Sequence, residues 1–159
     1  PSGLVTVTGG KWTTYRAMAE DVLGKCMADA LLPHRPGGAT LKQLLVGANA
    51  GASNPHPLSQ ASDLSAYGSE AAAVEALPGA GRQLAGGLTE AMVRFAVRHE
   101  YARTVEDVLA RRVRLLFLDA RLAGSLAAAV GAIVAEETGC DPEIAAFEAL
   151  AAKYLHLPA

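Results

Sequence analysis

An all-α fold, a helical domain preceded by one short orphan β-strand, is the class this sequence predicts. Three observations carry it. Alanine is abundant among the 51% apolar residues while aromatics are only 5%, and alanine is the strongest helix former. From Thr89 onward, apolar residues recur at helical spacing between recognisable start and stop signals. Only one run, Leu4–Thr8, alternates as a strand does.

The elements come in this order. Val and Thr make Leu4–Thr8 a strand, and Gly9-Gly10 supplies freedom for a tight turn. A helix then runs from Trp12 or Thr13 to Leu31, with Met18, Val22 and Cys26 on one face, Glu20 and Asp21 off it, and Pro33 as the stop. Prolines and glycines punctuate residues 33–62, a long loop with one ordered piece at 41–46. A loop of that length must pack on something or move. Short helices are expected at 57–67 and 69–77, then breaks at Pro78-Gly79 and Gly81.

The second half is regular. Thr89–Glu100 is a helix with Met92, Val93, Ala96 and Val97 inward. Thr104 and Asp107 resemble a capping box opening a helix to Leu118. Asp119 caps the next helix, whose stripe is Leu122, Leu126, Val130, Ile133 and Val134 and whose end is Gly139. Asp141-Pro142 opens the last helix as N-cap and first residue, with Ile144, Phe147, Leu150 and Tyr154 along it. The domains read as 1–31 (strand, turn, helix), 32–62 (linker) and 63–159 (helical).

Composition excludes several functions. The net charge is −2 and charged residues are 19%, so neither a dedicated nucleic-acid surface nor polybasic membrane attachment is indicated. The low-charge apolar stretch Gly124–Ala135 is about twelve residues, too short for a bilayer. Cys26 and Cys140 read as two buried thiols. The four histidines share no ligand spacing, and His99-Glu100 is followed by Arg103 where a zinc-protease helix needs a second His, so no metal site is expected. Arg111, Arg112 and Arg114 read as a salt-bridged helix surface, and Glu136-Glu137 as a solvated face.

The one stretch with ligand chemistry is Gly9, Gly10, Lys11, Trp12, Thr13 and Thr14. A helix starting here aims unpaired N–H groups and a positive dipole end at the turn, as phosphate and cofactor sites do. Lys11 adds charge, and Thr13 or Thr14 can cap the helix or donate to a ligand. A nucleotide P-loop is ruled out, because Val5 and Trp12 stand where that motif requires Gly and Ser or Thr. A glycine-rich turn with a capped helix, holding nothing, is the plain alternative.

"PSGLVTVTGGKWTTYRAMAED", and "AVRHEYARTVEDVLARRVRLLFLDARLA" at 96–123, resemble two segments of the FAD-dependent glycerol-3-phosphate dehydrogenases in the same order; Tyr67–Ala71 is similar to a further element. The resemblance implies a C-terminal helical domain of an enzyme that oxidises sn-glycerol 3-phosphate to dihydroxyacetone phosphate and passes electrons through FAD to quinone. It implies that residues 9–14 line the flavin, that Lys11 also reaches the substrate side as a catalytic candidate, and that the N-terminal FAD/substrate domain is the partner. It further implies peripheral attachment at the mitochondrial inner membrane or the bacterial cytoplasmic membrane, and leaves a homodimer open. Two departures stand out. The chain carries no Gly-x-Gly-x-x-Gly fingerprint or substrate-phosphate residues, and Glu90-Ala91-Met92 keeps one acid of a Glu-Ala-Glu pair. The chain therefore reads as the C-terminal piece of such an enzyme, inactive alone, or as a non-catalytic structural module.

Overall fold

A computed structural model describes residues 3–48 and 59–156. Residues 1–2, 49–58 and 157–159 lie outside it, so part of the 33–62 loop and the start of the expected 57–67 helix are not described. The chain divides into two compact units, Pro1–Leu45 and Val46–Ala159.

In the first unit, residues 4–8 are exposed and are not a β-strand, which corrects the strand expected there; the two strands among the described residues are Gln83–Ala85 and Leu88–Thr89. A strand needs a ladder partner for its N–H and C=O groups, and no described strand supplies one. A 3₁₀ turn, Trp12–Thr14, leads into α1, Tyr15–Ala28. Met18, Val22 and Cys26 are its half-buried face, as expected. The helix ends three residues before the predicted Leu31. Ala30 turns left-handed (φ 56°) and the Leu31 N–H donates to the Cys26 carbonyl at 2.9 Å, which closes the helix before Pro33 is reached. Glu20 pins the loop back onto α1. It is bonded to Arg16 at 2.9 Å and accepts from the Gly38 N–H, where φ of 80° suits glycine. The ordered piece of this loop is a 3₁₀ turn at Ala39–Lys42.

The second unit holds the core. A 3₁₀ segment, Leu64–Glu70, kinks at Gly68 and continues into α2, Ala71–Glu75. A hairpin that the pattern did not announce comes next: β1, Gln83–Ala85, pairs antiparallel with β2, Leu88–Thr89. Gly86 and Gly87 (φ 57° and 84°) form its turn, where both central residues need positive φ. Thr89 then caps α3, Glu90–His99, accepting from the Met92 N–H at 3.2 Å. α3 is buried from Glu90 to Val97, so its core face is far wider than one stripe.

The helix expected over 104–118 is two pieces. Thr104 and Asp107 do form the capping box: Thr104 Oγ1 accepts from the Asp107 N–H at 3.1 Å, and Asp107 accepts from the Thr104 and Arg103 N–H groups. The first piece is a π-helical turn, Asp107–Arg112. Arg114 then turns left-handed (φ 58°) before α4, Leu115–Leu118. The break sends Leu115 and Leu116 into the core and leaves Phe117 outside.

Asp119 caps α5, Ala120–Thr138, and Gly139 closes it in the left-handed region, both as expected. α6 is Ile144–Tyr154, starting later than the sequence suggests. Asp141 is not its N-cap: the carboxylate accepts from the Glu143 N–H, Glu143 caps with φ 58°, and the Pro142 carbonyl accepts from Val105 at 2.9 Å. α6 lies close on α5 because Gly131 has no side chain. A Cβ there would stand 2.6 Å from Ile144.

Candidate functional site

The first unit carries the predicted site. Lys11, Trp12, Tyr15, Met18, Ala19, Val22 and Leu23, with Val7 and Gly10, line an open apolar groove of about 650 Å³. Its floor is the apolar face of α1, and its rim is Gly10, Lys11 and Trp12; Gly9, Thr13 and Thr14 do not line it. Trp12 is 86% exposed and its ring lies 5.5 Å from that of Tyr15, tilted 32°. Val7, Tyr15 and Leu23 of the same lining are also exposed, and a contiguous apolar patch is the kind of surface that partners or ligands cover.

Each predicted residue has a place. Lys11 sits at the N-cap position, extended and exposed, with its carbonyl accepting from the Thr14 N–H at 3.0 Å and the Thr14 hydroxyl at 2.9 Å. Thr14 Oγ1 also stands 3.6 Å from Met18 Sδ. Neither Thr13 nor Thr14 caps the helix through its side chain, so the cap half of that expectation is corrected: Thr14 is turned back to Lys11. Gly9 and Gly10 do not use the left-handed region. A Cβ at position 9 would meet nothing within 4 Å, so no described residue requires glycine there. Gly10 faces Met18, whose sulfur would lie 2.6 Å from an added Cβ.

The second unit holds a charged network that the sequence misassigned. Glu137 is not on a solvated face. Its side chain is only 9% exposed, and it binds Arg94 and Arg98 at 2.5 and 2.7 Å. Arg94, equally buried, also reaches Glu90 and Glu136, and Arg82 binds Glu90 from outside. Arg98 and then Arg94 hold the Glu137 carboxyl down to about 2, against the cost of burial. Arg94 and then Arg82 lower Glu90. Glu136 and Glu137 in turn raise Arg94. Every buried acid here is committed to an arginine, so the network fastens α3 to α5 and offers no free general acid or base. Glu90 and Arg94, one turn apart on α3, were a legible pair; the Glu137 end was not, being 43 positions away.

The other candidates are structural. Arg111 binds Asp107 and Glu106 as the expected salt-bridged surface, whereas Arg112 donates to the Glu100 carbonyl and Arg114 to the Gln60 carbonyl. His99 is exposed and its ring stacks 4.7 Å from Phe95. His56 lies outside the described residues. Among the described residues no three metal-ligating side chains cluster, and no helix is long and apolar enough to cross a membrane. The thiols are free, but Cys26 is half-buried and Cys140 exposed, which corrects the picture of two buried cysteines. Each occupies a helix margin where the packing is shallow.

Comparison with known proteins bears on what the groove serves. Residues 36–145 match the family described as the C-terminal domain of alpha-glycerophosphate oxidase. The chain is 35% identical to a mitochondrial glycerol-3-phosphate dehydrogenase of Arabidopsis thaliana, over 85% of this chain and 26% of that protein. It is 34% identical to the mitochondrial enzyme of Schizosaccharomyces pombe, over 88% of this chain and 28% of that one. Glycerol-3-phosphate dehydrogenase 1 of Mycobacterium tuberculosis is 41% identical over 72% of this chain and 24% of its own length. The chain thus spans about a quarter of the curated relatives it matches. No solved structure matches it.

Proposed function

The chain belongs to the family of C-terminal domains of alpha-glycerophosphate oxidase, and from that premise we propose that it is the helical C-terminal domain of an FAD-dependent glycerol-3-phosphate dehydrogenase. The whole enzyme oxidises sn-glycerol 3-phosphate to dihydroxyacetone phosphate. FAD, when bound, supplies the hydride acceptor at the substrate's secondary carbon and the route for electrons to quinone.

The observation that carries this reading is the exposed Gly9–Thr14 turn at the rim of an apolar groove. The residues fit a planar, electron-rich group. Open space lies beside Gly9, Trp12 offers an uncovered ring, and Lys11 adds a cation beside the first N–H groups of the helix. Gly9, Gly10, Thr13 and Thr14 shape the approach. Lys11 and the helix N-terminus stabilise negative charge, and Lys11 is the candidate for the substrate side. The second unit is proposed to contribute no reacting group, its Glu90–Arg94–Glu137 network being paired internally. Its proposed partner is the N-terminal FAD/substrate domain. A mitochondrial location is supported by the names of the plant and yeast relatives; peripheral attachment at the inner membrane is part of the proposal, and a bacterial enzyme would occupy the cytoplasmic membrane.

Two experiments test the proposal. The 159-residue chain alone is expected to bind FAD weakly or not at all and to reduce no dye with glycerol 3-phosphate; a yellow, active preparation would overturn that. In the enzyme carrying this domain, Lys11→Ala should lower kcat/KM by about 10-fold or more while leaving the melting temperature almost unchanged. Equal loss of both would favour a turn that only caps a helix.

A further inference from the structure

The C-terminal end of α3 carries a half-buried carboxyl group, Glu100, one oxygen of which is in surroundings that do not suit a charge. Glu100 is the residue that ends α3, so its side chain sits at the negative end of the helix dipole, where a cation is favoured. Its Oε2 is buried and accepts no hydrogen bond from any described residue. Arg112 is the nearest cation, yet its Nε stands 3.8 Å from that oxygen, beyond hydrogen-bond reach. The guanidinium is occupied elsewhere, donating through Nη2 to the backbone carbonyl of Glu100.

Three elements surround this carboxyl. Arg112, on the π-helical turn, attracts its charge. Glu70, on the 64–70 segment, repels it, and His99, on α3 itself, attracts it. Tyr67, also on the 64–70 segment, is a half-buried phenol whose ionisation is pushed up by burial first and then by the Glu100 charge. Burial is the largest influence on Glu100, and it moves the carboxyl above its ordinary range. The 64–70 segment meets α3 here: the Tyr67 ring stands edge-on to Phe95 at 5.3 Å, and Phe95 stacks on His99. The same segment holds residue 47, through the Ser69 N–H to the Gly47 carbonyl at 3.0 Å.

We propose that Glu100 is a proton-operated latch. With a proton on its carboxyl, the end of α3 and the 64–70 segment pack against each other; loss of that proton leaves a carboxylate whose buried Oε2 accepts no hydrogen bond from the described residues, with the Arg112 guanidinium no nearer than 3.8 Å, and loosens the contact. The sign comes from linkage. A carboxyl that binds its proton more tightly in the folded state adds stability below the ordinary carboxyl value of about 4.3, and that stability is lost as pH rises through the folded value.

The test compares the whole chain with E100Q, an isosteric stand-in for the protonated acid. Amide exchange at Ser69 is measured in both across pH 4 to 8, the variant cancelling the intrinsic pH dependence. The wild-type rate divided by the E100Q rate is expected to climb with pH, by about tenfold for each unit by which the carboxyl is displaced. The carbon-13 titration of the Glu100 carboxyl in the wild type should have its midpoint above about 4.3, and E70Q should bring it down. A flat rate ratio, or a midpoint at or below the ordinary value, overturns the latch. If E100Q does not fold, the wild-type titration and its response to E70Q decide alone.

Discussion

Arg94 and Glu137 lie 43 positions apart in sequence and meet at 2.5 Å, with 9% of each side chain left to solvent. They are the bolt between α3 and α5. Removing one partner of a buried pair leaves the other charge desolvated and unmatched. Glu137→Gln keeps the shape and removes the charge from two arginines at once. It should cost about 2–3 kcal/mol, read as a lower urea midpoint by circular dichroism. A loss under about 0.5 kcal/mol, the ordinary scatter of surface changes, would show the network to be ornamental.

Acid should undo the same bolt. Glu137 is held at about 2 in the folded chain and returns to about 4.3 when unfolded. A depressed carboxyl adds stability above the unfolded value and loses it as pH falls toward the folded one. The chain is therefore expected to lose stability steeply between about pH 4 and pH 2, and Glu137→Gln should flatten that slope. Parallel slopes for the two proteins would contradict the assignment.

Gly131 is a test of helix packing. Alanine is the better helix former by about 1 kcal/mol, but its Cβ would stand 2.6 Å from Ile144 and 3.3 Å from Val105. Overpacking of that kind costs about 1–3 kcal/mol. Gly131→Ala should thus lower the melting temperature, and adding Ile144→Val should restore part of it. A stabilised single variant would mean that α6 shifts freely.

Tyr101 occupies the left-handed region (φ 59°) just past α3, with its ring 81% exposed and Arg103 5.6 Å above it. That conformation costs a non-glycine residue about 1–2 kcal/mol, and an exposed cation–ring contact returns about 0.5–1 kcal/mol. Tyr101→Gly should be neutral or slightly stabilising in thermal melts of the isolated chain. A large loss would reveal packing that the exposure does not suggest.

The helical class, the caps at Thr104, Asp119 and Gly139, and the inward stripes of α3 and α5 were legible because each rests on local chemistry. A hydroxyl three residues before an N–H, or apolar side chains one turn apart, act over a few residues. The Gly9–Thr14 turn stood out for the same reason, its glycines, lysine and threonines being neighbours in the chain; the groove beside it needed α1 to fold first. The breaks were less legible. Arg114 leaves the helix although nothing in its own chemistry asks for positive φ; packing Leu115 and Leu116 inward while Arg114 reaches Gln60 decides it. Pro142 looks like a helix opener, yet its carbonyl is taken by Val105 from another element.

Sequence by itself determined which segments are helical, where most of them start and stop, and which face of each is apolar. Tertiary structure alone decided which charges are solvated and which are buried. Glu136 and Glu137 are adjacent and chemically alike, but only Glu137 is enclosed by Arg94 and Arg98. Glu100 likewise reads as an ordinary surface acid until the 64–70 segment and Arg112 close around it. The physical reason is that helix formation depends on neighbours within one or two turns, whereas the cost of a charge depends on every atom that displaces water from it, and those atoms arrive from distant parts of the chain.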